Sequence, residues 1–361
     1  MRKKIKLLLF IIFIEFVFIN NTQGQENPPK FYFGGFNINT GKFLPHSKRI
    51  ENLKANVIAV QAKLYQNLFS TSEWESPFKA TKFGYSLTYI HTQNAIIGDL
   101  WGANMFMEPM LFSYRRLHLY THLGAGIAYA TEKFDKESNP TNYMISTDFS
   151  FFFNLKLNLD YQLNKQFSIG LNAGFSHCSN AALYLPNLGI NILNYGVNIG
   201  YKIFEEKTPQ VMFPTKINTE KKWAHDIQIG IATRGVNEEL NKYYFIFTSD
   251  YALNRFLSRK NIISLNFHYV LRQGDIYDKY YDSKYYNYFG LALGHELLIK
   301  RLSVITQLGV YVFDSNLNQH FWYARLGIRY YFTKNFYGMA TLTNRKQSAD
   351  YLQYSIGYRF K

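Results

Sequence analysis

The stretch 148–161 limits what this chain can become more than any other. Phe149, Phe151, Phe153, Leu155, Leu157, Leu159 and Tyr161 alternate with Asp148, Ser150, Asn154, Lys156, Asn158 and Asp160, with Phe152 alone out of phase. Successive side chains of a strand point to opposite faces, so one face is wholly apolar and the other carries Asp, Lys and Asn. A dry core cannot take that second face. The pattern fits an antiparallel transmembrane β-barrel, with the apolar face toward lipid and the polar face toward the interior.

The same alternation recurs along the chain. Strands are predicted near 31–37, 53–65, 83–91, 102–114, 117–129, 148–161 and 167–179, with an eighth opening at Asn191 and running to about Phe204. Residues 206–222 break the pattern with two prolines and a run of charges, and read as a linker. About eight further strands follow, the last setting Leu352, Tyr354, Ile356, Tyr358 and Phe360 against Gln353, Ser355, Gly357 and Arg359. The expected class is all-β, as two small barrels or one wide one. The domain reading is a signal peptide over 1–24, a first barrel over 25–205, the linker, and a second β-barrel half over 223–361 whose role the sequence leaves open.

Arg2, Lys3, Lys4 and Lys6 precede an apolar run from Leu7 to Ile19, and Thr22 and Gly24 offer small residues for cleavage, as in a secretory signal peptide. The chain has one cysteine, Cys178, so no internal disulfide can hold it. After the leader no stretch reaches the roughly 18 continuous apolar residues of a membrane helix. Yet 18% of residues are aromatic, with 30 Tyr and 32 Phe, more than a soluble domain uses. Export, aromatic excess and no spanning helix together place the chain in a bacterial outer membrane. The formal charge of +15 then suits the phosphates of lipopolysaccharide better than nucleic acid, for which no binding motif is present.

One motif carries chemistry. Phe167, Ile169, Leu171, Ala173 and Phe175 keep the apolar phase of their strand, and His177 and Ser179 continue it. Asn180 follows, then a loop with Pro186, Asn187, Leu188 and Gly189, then Asn191 at the head of the next strand. Three polar side chains, His177, Ser179 and Asn191, thus stand at the rim of a lipid-facing surface, where they have a use only if they act on something apolar. Ser176 and Cys178 fall on the opposite face, which argues against a cysteine nucleophile. The four-residue turn at 163–166 is short, as periplasmic turns are, so strand 167–179 runs outward and delivers the cluster to the outer leaflet. His118 and His122 alternate inward and read as lumen polar residues; neither a metal nor another cofactor is expected.

The spacing His177-x-Ser179-Asn180-Ala181 followed by Pro186-Asn187-x-Gly189 resembles the PagL-type lipid A 3-O-deacylases, also grouped as acyloxyacyl hydrolase-like proteins. The resemblance is best over 117–204. It implies an eight-stranded barrel that cuts an ester-linked acyl chain from lipid A, with Ser179 as nucleophile, His177 as its general base, and Asn180 with nearby backbone amides at the oxyanion. A serine hydroxyl needs such a base, and the tetrahedral intermediate needs such donors. The family's deacylases carry glutamate where this chain has Asn191. An amide oxygen can orient the imidazole but cannot stabilise the imidazolium by charge. Glu132, Asp135 and Glu137, in the preceding long loop, are the acids that could replace it. The alternative is a non-catalytic barrel, structural or a small-solute pore, that retains a degenerate motif; a surface adhesin using the long loops is a third reading. The sequence sets no oligomeric state.

Overall fold

The computed structural model describes residues 31–68, 81–205, 222–235, 243–258, 260–274, 284–315, 321–345 and 348–360. The leader and most of the expected linker lie outside these residues. The first half contributes β1 (Phe31–Phe43), β2 (Asn56–Leu68), β3 (Thr81–His91), β4 (Leu100–Glu108), β5 (Met110–Tyr114), β6 (Leu117–Ala130), β7 (Phe149–Gln162), β8 (Phe167–Ser179) and β9 (Ile190–Glu205). They pair in the order β4-β3-β2-β1-β9-β8-β7-β6, and β4 pairs β6 to close the ring. All of these pairings are antiparallel.

The single strand expected over 102–114 is divided between β4 and β5. Pro109 separates them because it has no N–H to give the ladder, although its carbonyl still accepts from Thr121 N at 3.1 Å. Counted as one interrupted strand, β4 and β5 make the first barrel eight-stranded.

The second half contributes β10 (Trp223–Gly235), β11 (Tyr243–Phe256), β12 (Asn261–Gln273), β13 (Tyr285–Ile299), β14 (Leu302–Asp314), β15 (Trp322–Tyr331), β16 (Phe336–Arg345) and β17 (Ser348–Phe360). These close on themselves, with β10 bonded to β17. There are therefore two small barrels, not one wide one. Outward Leu68 and Met107 of the first barrel are buried because they pack with Ile299 of the second.

The alternation becomes the wall. Leu171 is 62% exposed and Leu155 54%, whereas Asn158 on the inner face is 2% exposed. An eight-stranded barrel is just wide enough for side chains to fill, and both interiors are filled with paired charges. In the first, Glu108 accepts from Lys63 at 3.0 Å and contacts Lys82 at 3.3 Å, while Lys82 also reaches Asp160. In the second, Arg325 meets Asp250 at 3.0 Å, and Arg329 joins Asp226 at 2.8 Å and Glu296 at 3.0 Å. Burial of one such charge alone would be costly; a partner makes it tolerable.

Phe152, out of phase in the sequence, has a reason in the fold. It points inward at the end of the barrel capped by the loops 92–99 and 131–148, in an apolar cluster with Ile97, Leu100, Met144, Ile145, Cys178 and Ile190. A Cβ on Gly102 would come within 2.4 Å of its ring, so that glycine makes its space. This apolar cap is the floor on which the end of β8 rests. At that end the connections span 44–55, 92–99, 131–148 and 180–189; at the other they are 115–116, 163–166 and, outside the described residues, 69–80. The first strand runs six residues beyond its expected end at 37, and the last opens at Ile190, one residue before Asn191.

Candidate active site

Strand register builds the cluster. β8 and β9 are antiparallel with His177 directly opposite Asn191, and β7 sets Phe153 opposite His177 and Phe151 opposite Ser179. Directly opposed side chains lie on the same face. His177 Nδ1 is 2.6 Å from Asn191 Oδ1, and His177 Nε2 is 2.9 Å from Ser179 Oγ. With Oδ1 accepting from Nδ1–H, the lone pair of Nε2 faces the serine hydroxyl, the tautomer that a general base needs. Asn191 Nδ2 is turned the other way, 2.8 Å from His46 Nδ1. Both His177 and Ser179 share the outward parity of Ile169 and Leu171, at the long-loop end of the barrel.

The loop 180–189 holds this arrangement. Asn187 Oδ1 accepts from Asn180 N at 3.0 Å, while Asn180 Nδ2 donates to Ser146 Oγ and to the Tyr184 carbonyl, each at 3.1 Å. Leu188 N and Gly189 N donate to the Tyr143 and Met144 carbonyls, which ties this loop to 131–148. At its outer end Tyr184 meets Tyr243 of the second barrel edge-on, with ring centroids 5.7 Å apart.

Gly189 is required twice over. Its φ is +79°, a region where a side chain is strained, and a Cβ there would stand 2.8 Å from His177 Cε1. Gly189→Ala is therefore expected to displace the imidazole and to lower turnover by roughly 100-fold, the usual cost of about 1 Å of misplacement. Steady-state kinetics of the folded variant will check this, and turnover within about threefold of the parent would contradict it.

The structure thus brings together Ser179, His177 and Asn191, which lie up to 14 residues apart in sequence. Asn180, expected at the oxyanion, has its side-chain amide directed at Ser146 and Tyr184 instead. The backbone beside it is unusual: Ala181 and Ala182 have φ of +58° and +61° and are buried. Such left-handed residues persist only when their surroundings impose them, and they cluster at functional sites.

The candidate replacement acids do not enter the cluster, because Asn191 and Ser179 already occupy both ring nitrogens of His177. Asp135 accepts from Glu137 N and Ser138 N, and these backbone donors hold its carboxyl below the ordinary carboxylate range. His122 is bonded to Glu108 deep in the barrel, whereas His118, on the same inward parity but only partly buried at the end carrying the turn 115–116, is bonded to Ser113, so the two do not form a pair. His46, Ser146 and the bracing role of Asn187 had no assignment in the sequence. Only Asn187 carried a signal there, in the Pro-Asn-x-Gly motif.

Two family models match. Residues 59–202 match "Lipid A 3-O-deacylase (PagL)" and residues 223–361 match "Acyloxyacyl hydrolase, C-terminal domain". No curated protein matches significantly. Among solved structures, the chain is similar to the KdgM porin in complex with disordered oligogalacturonate at 8% identity, covering 72% of this chain and 92% of that one, with a TM-score of 0.19. It is also similar to the siderophore receptor PirA from Pseudomonas aeruginosa at 8% identity, covering 94% of this chain and 82% of that one, with a TM-score of 0.24. A third is the P. putida toluene transporter TodX, at 8% identity over 93% of this chain and 90% of that one, with a TM-score of 0.18. Likenesses this faint carry nothing about the site.

Proposed function

The chain belongs to the PagL family of lipid A deacylases, proteins of the bacterial outer membrane, and we propose that it hydrolyses an ester-linked acyl chain of lipid A by a serine mechanism at Ser179. The observation that carries this reading is the hydrogen-bonded series Ser179–His177–Asn191 on the outward face of the wall. A hydrolase of soluble substrates has no reason to mount its nucleophile toward lipid. The long-loop end corresponds to the cell exterior in barrels of this kind, and the outer leaflet there holds lipopolysaccharide.

In this mechanism Ser179 Oγ attacks the ester carbonyl while its proton passes to His177 Nε2. The tetrahedral oxyanion is met by the backbone N–H groups of Ala181 and Ala182, which carry no hydrogen bond among the described residues. Asn180 contributes by bracing the turn that presents them. Collapse breaks the ester bond, and His177 returns its proton to the departing sugar oxygen. Water then attacks the acyl-serine with His177 again as base, releasing the fatty acid and restoring Ser179. Asn191 keeps the imidazole in its tautomer throughout.

The test is direct. Purified protein in detergent is incubated with lipopolysaccharide, and lipid A is followed by mass spectrometry. Loss of one 3-hydroxyacyl chain, with the matching free acid, is expected; unchanged lipid A would refute the proposal. The pore alternative is opposed by interiors filled with large buried side chains such as Arg272, Arg325, Tyr288, Tyr323 and Tyr351 in the second barrel. Planar bilayers containing the protein are accordingly expected to show no steady conductance, and discrete open channels would favour the pore.

A further inference from the structure

We propose that His46 is a positioning residue, which sets the direction of the hydrogen-bond chain through Asn191 and His177 and so keeps Ser179 facing a lone pair. The inference rests on the serine-hydrolase reading of the site. His46 lies outside the residues 59–202 that match the deacylase model, and 145 positions from Asn191 in the chain.

A primary amide accepts at one end and donates at the other, so a chain running imidazole–amide–imidazole has two self-consistent directions. In one, His177 Nδ1–H donates to Asn191 Oδ1, Asn191 Nδ2–H donates to His46 Nδ1, and His177 Nε2 accepts from Ser179. In the other the amide is turned over. His46 Nδ1–H then donates to Oδ1, Nδ2–H donates to His177 Nδ1, and the proton of His177 moves to Nε2, where it blocks the serine. The observed contacts, 2.6 Å from Oδ1 to His177 and 2.8 Å from Nδ2 to His46, are those of the first direction. A carboxylate at position 191 would accept at both oxygens and would need no such partner. The asparagine does need one, and His46 Nδ1 is the acceptor in place.

His46 is also held where it must be. Phe43 pairs with Ile192 at the end of β1, and Leu44 N donates to the carbonyl of Asn191 itself at 2.8 Å. Pro45 restricts the next backbone angle. Ser47 then caps the short 3-10 turn Lys48–Ile50, its side chain accepting from Arg49 N. The residue that needs orienting thus anchors the segment that orients it.

Two measurements test the proposal on the full-length protein in detergent. The first is ¹⁵N NMR of the histidine rings, with the His177 signals identified by their loss in His177→Gln. The parent should show His177 protonated at Nδ1, and His46→Leu should raise the Nε2–H signature. An unchanged His177 pattern would overturn the proposal, and this readout holds whether or not the protein proves to be a hydrolase. The second is kinetic. His46→Leu should lower kcat about fivefold with KM unchanged, the weight of one ordinary hydrogen bond. His46→Asn, whose side-chain oxygen lies where Nδ1 does and can accept in the same place, should recover most of that loss. In an Asn191→Asp background His46→Leu should cost nothing. Equal losses in both backgrounds, or no recovery by asparagine, would reject the assignment.

Discussion

Alanine in place of Ser179 is expected to abolish release of the 3-hydroxy fatty acid from lipopolysaccharide, with a fall in kcat of roughly 10³-fold or more. The hydroxyl is the group that forms the acyl intermediate in the proposed mechanism, and the oxyanion donors alone leave only a residual acceleration. The fold should not register the change. Ser179 Oγ contacts His177 Nε2, while His177 keeps its bond to Asn191 and its place against Gly189. The barrel's circular dichroism should therefore match the parent, and substrate binding should persist. A time course of lipid A by mass spectrometry decides the matter. If the alanine variant retained a tenth of the parent's rate, the nucleophile would have to be sought elsewhere.

The second large effect runs the other way. Asn191→Asp should raise kcat, because a carboxylate of the same shape can keep the 2.6 Å contact with His177 Nδ1 and also stabilise the imidazolium that forms as Ser179 attacks. The reverse change in a buried protease triad costs roughly 10⁴-fold. The gain here should be smaller, about 10²-fold, because Asn191 is only partly buried and solvent screens the added charge. A variant no faster than the parent would mean that the imidazolium draws its stabilisation from another group. A slower one would mean that the amide does more than orient the ring.

The barrel class was legible because a period of two is imposed by strand geometry itself: each residue either meets lipid or meets the interior, and 148–161 states that choice residue by residue. His177 and Ser179 were legible for the same reason, since two residues apart on one strand means one face. Asn191 was put on that face by the phase of its own strand and given its role by resemblance, and register then set it directly across from His177. Phe152 and Pro109 were local breaks in the pattern whose meaning lay in neighbours far along the chain. Phe152 joins an apolar cap built partly from loops, and Pro109 divides β4 from β5.

What sequence could determine by itself was the alternation, the number of strands and the polar rim on an apolar face, because these follow from short-range geometry. Tertiary structure alone decided that the strands close as two barrels and that Asn180 braces its loop. It also placed Asn187 on the neighbouring amide and His46 behind Asn191. Each of these depends on which chain ends meet when a sheet closes, and on where a hydrogen-bond donor finds its acceptor. Those partners come from segments with no fixed spacing, so no periodicity in the chain records them.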